Sequence, residues 1–315
     1  MKGRSILLAL NGSQQSWFAS ELCWSLAKQL GVEIQAQHVV DSHSAWSFIG
    51  HDKQAFLETD KYLSAYQRLC LSLFDLGEEL ATAYNAAAST HGQFPPCVVD
   101  EGNPIVEICR RAVEHDLVVI GHRPTALSGD LNPRSQFLRL SVAEALSHDC
   151  PRPLLVVQEQ ARAWKNITIT ISTEHINERF INSCLDLANA LQLTSTLLCL
   201  AGAPNVNQTE FIQTLRRANS RLEAVPITFI QDISEDENDE ILKWGFSEDD
   251  KTSITAGHTL MVVPTREISG QRTTVLGGAA SSFVRYLTLP SMLLWPEEYV
   301  FSFGAANERS TAAIV

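Results

Sequence analysis

Apolar positions change period twice within the first forty residues. Ile6 to Leu10 form an unbroken apolar run, the length of a buried strand, and Asn11-Gly12-Ser13 ends it. Phe18, Leu22, Leu26 and Leu30 then recur every fourth residue with Trp17, Cys23 and Ala27 beside them, which predicts an amphipathic helix. Ser13 or Ser16 can cap its start and Gly31 can stop it. A second apolar strand closes with His38-Val39-Val40-Asp41.

The same order returns later. Aligned without a gap, residues 5–41 and 166–202 place Leu26-Ala27 on Leu187-Ala188, Leu30 on Leu191 and Cys23 on Cys184. Both halves end in helix-to-strand steps: "IVEICRRAVEHDLVVIGH" and "LSVAEALSHDCPRPLLVV" in the first, "HTLMVVP" and "GGAASSFVRYLTLPSMLLW" in the second. Strands alternating with helices predict mostly parallel sheet covered on both faces. The polar bridge "QEQARAW" divides a first domain, 1–158, from a second, 164–300, followed by a tail, 301–315, whose Phe301 and Phe303 can pack on the domain edge. From Thr59 to Thr90 helical spacing continues for about 30 residues, or about 45 Å. That is long for a crossover helix, and it can project or lie across the partner domain, but an ordinary crossover is the expected reading.

Composition narrows the classes. With 45% hydrophobic and 19% charged residues, the 315-residue chain reads as a soluble protein of two domains. Its net charge of -12, without a basic stripe, argues against nucleic acid as a partner. No apolar run approaches the ~18 residues of a membrane span, and Ile6–Leu10 is too short for a signal peptide, so no membrane partner is expected. Seven dispersed cysteines without a C-x-x-C pair suit buried thiols in a reducing cytoplasm.

Established catalytic signatures are missing from the sequence: no G-x-x-x-x-G-K-[ST], no G-x-G-x-x-G after a strand, no G-x-S-x-G. The nine histidines include no i, i+4 pair to seat a metal, and His38, His115, His148 and His258 suit capping or surface roles. The acidic stretch "DISEDENDEI" lacks the EF-hand pattern and reads as a solvated loop leading into a short helix.

With "LLALNGS", "HVVD", "GNPIVEICRRAVEHDLVVIGHR" and "SVAEALSHDCPRPLLVV" in this order, and the pattern doubled, the chain resembles a tandem universal stress protein. The resemblance implies two open, doubly wound, parallel five-stranded α/β sheets with helices on both faces, Rossmann-like and similar to the adenine-nucleotide α-hydrolases. It also implies dimer-like pairing of domains, a cytoplasmic location and a role in stress survival. Many family members bind ATP on a loop reading Gly, two residues, Gly, nine residues, Gly, then Ser or Thr. An Asp after the first strand and a Val-Asp ending the second surround the nucleoside.

Carried onto this chain, that pattern fits in part. Asn11 stands at the Asp position; Gly12, Ser13, Val40, Asp41, Gly121 and Ser141 fit. Pro124 takes the second glycine and Leu140 the third, and eighteen residues rather than twelve separate Gly121 from Leu140. Proline offers no N–H donor and a bulky Leu obstructs a phosphate. His122 and Arg123 can restore anion affinity; equally, Arg123 can pair with a carboxylate such as Asp130 or remain solvated. In the second half Pro264, Glu267 and Gly277 take the glycine positions, followed by Gly278, with Ser172 and Gly202 at the two Asp positions. Gly277-Gly278 can present helix-start N–H groups to an anion or serve close packing. A Glu267 carboxylate ~4 Å from a phosphate charge costs roughly 4 kcal/mol at an effective dielectric of ~20.

The expectation is therefore a non-enzymatic stress-response module with degenerate nucleotide sites and no cofactor, acting by pairing with itself or by binding other proteins. Two alternatives remain open: an ATP- or AMP-binding sensor using Mg-ATP in the first domain only, with slow hydrolysis, and a binder of another anion or apolar ligand.

Overall fold

Each apolar run identified above becomes a strand in the computed structural model, which describes residues 4–45, 59–123, 141–160, 162–201, 206–230, 258–275, 279–285, 287 and 289–300. The first half runs β1 (Ser5–Leu10), α1 (Gln14–Leu30), β2 (Glu33–Val40), α2 (Thr59–Ala88), β3 (Val98–Glu101), α3 (Pro104–Ala112), β4 (Leu117–Gly121), α4 (Val142–Asp149) and β5 (Leu154–Val157). The second runs β6 (Asn166–Ser172), α5 (Glu178–Ala190), β7 (Thr194–Leu200), α6 (Gln208–Ala218), β8 (Ile227–Ile230), β9 (Thr259–Ile268), β10 (Gln271–Thr274), α7 (Ala280–Arg285) and β11 (Ser291–Pro296).

Local chemistry sets the helix ends. Ser13 is the N-cap of α1, its Oγ accepting from the Ser16 N–H at 3.2 Å, and Gly31 closes the helix in the left-handed conformation at φ 63°. Asn103 caps α3 ahead of Pro104 at the first helical position, and Asn177 caps α5.

The strands form one sheet of eleven, in the order β3-β2-β1-β4-β5-β11-β9-β6-β7-β8, with β10 paired to β9. The order β3-β2-β1-β4-β5 thus recurs as β8-β7-β6-β9-β11. The expectation of two separate five-stranded sheets is corrected here: β5 and β11 pair antiparallel, Ser291 opposite Val157 through Leu294 opposite Leu154, and merge them. The reason lies in those strands. Both are buried along their whole length, and an unpaired edge of apolar residues is a site of association that pairing removes.

Residues alternate between two cores. Ile6 and Leu8 join Leu22, Leu26, Phe180 and Leu187 under α1 and α5; Leu7 and Ala9 join Ile108, Leu146, Phe283 and Val284 under α3, α4 and α7. Each core contains residues from both halves.

One further feature agrees with the sequence reading and one departs from it. Helix α2 packs on β2 and β3 of its own half as a crossover. Its Gly77 lies so close to the sheet that a Cβ there would stand 2.9 Å from the His38 ring. In the second half β9 runs past Pro264 and Glu267, turns at Ser269 and Gly270 (φ 52° and 78°) and returns as β10. Two consecutive left-handed residues make a tight hairpin turn. Glu267, expected in a phosphate loop, stands instead on a strand opposite Arg272.

Candidate functional site

In an open parallel sheet the ligand crevice lies beyond the carboxyl ends of the strands where strand order reverses. Here that place is between β1 and β4. A cleft of about 570 Å³ opens there, its walls including Asn11, Ser13, Gly121, His122, Arg123 and Ser141.

The β1–α1 turn forms one wall and is internally bonded. Asn11 Oδ1 accepts from the Ser13 N–H at 3.0 Å and from its hydroxyl at 2.7 Å. The Asn11 N–H reaches Ser16 Oγ at 3.3 Å. Gly12 is left-handed at φ 75° beneath Leu80 of α2. At the end of β2, Val40 is buried and Asp41 turns inward on its own chain: its Oδ1 accepts from the Ser44 N–H at 2.8 Å. Val40 and Asp41 do not line this cleft.

Gly121 sits at the carboxyl end of β4. A Cβ there would fall 2.3 Å from main-chain atoms of Gln15 and Ser16, so the glycine is required for α1 to approach the sheet, whatever the cleft holds. His122 follows, 3% exposed, its N–H bonded to Val157 O at 2.8 Å. Its Nδ1 lies 3.5 Å from Ser141 Oγ, and its Nε2 is buried without a partner at hydrogen-bonding distance. Burial pushes its pKa below the ordinary histidine value, although the Glu144 carboxylate and the Val284 main chain favour the charged ring. Arg123 is exposed, and among the described residues it pairs with no carboxylate. Pro124, Asp130 and Leu140 lie outside the described residues.

The start of α4 completes the cleft and contains what the sequence reading overlooked. Ser141 Oγ accepts from the Glu144 N–H at 3.2 Å, and Glu144 Oε2 accepts from the Ser141 N–H at 2.7 Å. This reciprocal capping box was written in the sequence as "SVAE". Glu144 is only 1% exposed, and its Oε1 meets Arg285 Nε at 2.9 Å. Arg285 ends α7, in the other half of the chain. The helix start that would attract a phosphate thus already holds the protein's own carboxylate, and a guanidinium from the second half neutralises it.

The corresponding end of the second half is bridged by ion pairs. Glu297, buried just past β11, receives Arg266 Nε at 3.1 Å and lies 3.1 Å from His175 Nε2. Its carbonyl accepts from Asn177 Nδ2 at 3.0 Å, which ties the network to the start of α5. Ser172 Oγ accepts from the Glu174 N–H at 3.2 Å. Arg272 on the hairpin reaches Glu298 at 2.8 Å and bonds the His148 carbonyl at the end of α4 at 3.3 Å. Gly202, Gly277, Gly278 and the acidic stretch 232–241 lie outside the described residues, as does the 301–315 tail with Phe301 and Phe303.

The family model described as "Universal stress protein family" matches residues 3–158. Residues 3–158 of the chain belong to the universal stress protein family. A universal stress protein from Archaeoglobus fulgidus superposes with a TM-score of 0.60 at 14% identity, covering 94% of this chain and 100% of that one. At that identity the likeness shows the fold: this universal stress protein shares its architecture along nearly its whole length. A functionally unknown protein from Pseudomonas aeruginosa is similar over 93% of this chain and 92% of its own, at 15% identity and a TM-score of 0.48. A family protein from Arabidopsis thaliana with AMP bound covers 49% of this chain and 91% of its own, at 14% identity and a TM-score of 0.31. No curated protein matches the sequence. Among the described residues no helix is long and apolar enough to cross a membrane, and no cluster of His, Cys, Asp and Glu could hold a metal ion.

Proposed function

We propose that this protein serves the stress response in the cytoplasm as a non-enzymatic association module, its two domains, 1–158 and 164–300, fused into one unit that works without a bound nucleotide. The observation that carries the reading is Glu144. Its buried carboxylate occupies the electropositive start of α4, and Arg285 holds it there from the opposite half. A nucleotide phosphate would compete for a helix start already compensated, and Ser141, the residue that fits the family's phosphate pattern, donates its N–H to that carboxylate while its Oγ accepts from the Glu144 N–H.

Calorimetric titration with Mg-ATP and with AMP tests this. The expected result is no saturable heat, together with a melting temperature unmoved by excess nucleotide. A ligand at a hundred times its dissociation constant would add ~2.7 kcal/mol of stability, a shift readily measured. Micromolar binding that disappears in Arg123→Ala overturns the reading and installs the sensor alternative in the first half.

A further inference from the structure

Helix α1 carries two ridges side by side. Glu21, Ser25 and Gln29 recur every fourth residue, and Leu22 and Leu26 repeat that spacing one position on. Where these ridges meet the end of α5 and the bridge between the halves, a cavity of about 150 Å³ remains. Its apolar side is formed by Leu22, Leu26 and Leu191, all buried, with Trp164 and Leu193 beside them. Trp164 and Leu193 stand just ahead of β6 and β7, so the cavity lies toward the amino ends of the strands, away from the cleft at their carboxyl ends. Two opposite charges share its wall without pairing. Glu21 Oε1 accepts from Trp17 Nε1 at 3.0 Å and its Oε2 from Gln160 Nε2 at 3.2 Å. Both donors are neutral, so the carboxylate keeps its charge uncompensated. Arg162 lines the same cavity, and among the described residues it makes neither an ion pair nor a hydrogen bond.

We propose that this cavity binds a free α-amino acid with a small branched apolar side chain, its ammonium on Glu21, its carboxylate on Arg162 and its side chain against the three leucines. Volume and charge choose the ligand together. A cavity of about 150 Å³ holds a molecule the size of benzene, which rules out a nucleotide or a peptide. A simple amine or carboxylic acid would answer one of the two charges and leave the other; a zwitterion answers both. An apolar side group then fills the leucine floor, and a guanidinium can grip the carboxylate through two parallel bonds. The site goes beyond the association reading, since it is separate from the crevice between β1 and β4. Its walls come from α1, from the bridge and from the end of α5, so an occupant stabilises the docking of the two halves as its concentration rises.

Calorimetric titration of the full chain with L-valine, isobutylamine and isovalerate tests the proposal; the last two are valine without its carboxylate and valine without its ammonium. Saturable valine binding is expected, with a dissociation constant on the order of 0.1 mM for about eight non-hydrogen atoms. Each analogue should bind about tenfold more weakly. Arg162→Met should weaken valine and isovalerate but not isobutylamine, and Glu21→Gln should weaken valine and isobutylamine but not isovalerate. Neither a merely structural role nor pairing of Glu21 with Arg162 would produce that crossed pattern. Both variants should keep the wild-type melting temperature, since neither side chain is buried. No saturation by about 10 mM valine, a hundredfold excess over that constant, overturns the proposal, as does binding without the crossed pattern.

Discussion

Replacing Arg285 with Met tests the contact that joins the candidate site to the second half. The substitution keeps the length and apolar stem of the side chain and removes the guanidinium facing Glu144 at 2.9 Å. The carboxylate left behind is 1% exposed, with the Ser141 N–H as a remaining donor and the α4 start beside it. Breaking one partner out of a buried pair costs about 3–5 kcal/mol. The capping amide and the helix end retain part of the stabilisation, so the lower figure, about 3 kcal/mol, is expected. The reverse change, Glu144→Gln, should be milder, about 1–2 kcal/mol, because Gln can still accept from the Ser141 N–H and the partly exposed Arg285 can rehydrate. Arg285→Met combined with Glu144→Gln should then be more stable than Arg285→Met alone, since it abolishes the stranded charge. Urea unfolding with a single fitted transition is the assay. One transition is expected because both cores draw residues from both halves. An Arg285→Met variant within 1 kcal/mol of wild type, or strict additivity in the double variant, would refute the reasoning.

Three other outcomes follow from the same geometry. Gly121→Ala should destabilise by about 3 kcal/mol whether or not nucleotide is present, because its Cβ would meet the main chain of α1 at 2.3 Å; a variant that unfolds normally would show the approach to be slack. His122 has its pKa lowered chiefly by burial, so the folded state resists its protonation. The stability this contributes is present above the unfolded value of about 6.5 and is lost as pH falls from there through the folded pKa. Urea midpoints at pH 7.5 and 5 should therefore diverge more in wild type than in His122→Asn, and equal differences would count against it. Burial also pushes the Cys150 thiol up to about 11 and those of Cys97, Cys109 and Cys199 up to about 12. A thiol reagent at pH 8 should modify these four slowly in the native protein and at once in urea; fast native labelling of Cys150 would contradict the structure.

What the sequence disclosed, and what it withheld, differ by the range of the interaction involved. The caps of α1 were legible because Ser13 and Gly31 act on atoms a few residues away. The strands, their parallel character and their duplication were legible because apolar runs and their repetition reflect burial of a parallel sheet. The hairpin of β9 and β10 was missed although Ser269-Gly270 is a strong turn signal. The spacing of Pro264, Glu267 and Gly277 matched a loop pattern and carried the reading instead. Gly121 was read as a phosphate glycine, while its lack of a Cβ answers to the main chain of α1, a constraint no local pattern announces. Glu144 could be read as half of a capping box; its partner Arg285 lies 141 residues away and becomes adjacent only when β5 pairs with β11.

On the proposed nucleotide-free reading, that long-range pairing would supply what a phosphate otherwise does. A helix start carries about half a positive charge, and either a ligand or the protein must supply the opposing anion. A carboxylate supplied by Glu144 would be costly to bury alone, and Arg285 makes it tolerable, so the cap depends on the second half being docked. In the second half Glu297 stands just past the last strand and is bracketed by Arg266 and His175. Each carboxylate is internal and permanently present, and therefore competes with a dissociable phosphate at an effectively unlimited concentration. The same groups that compensate the helix end or bridge the strand ends also bond across segments far apart in sequence: Glu144 to α7, Glu297 to α5, Arg272 to α4. Under the proposed reading, these internal ion pairs supply the charge and cohesion that a ligand would otherwise contribute.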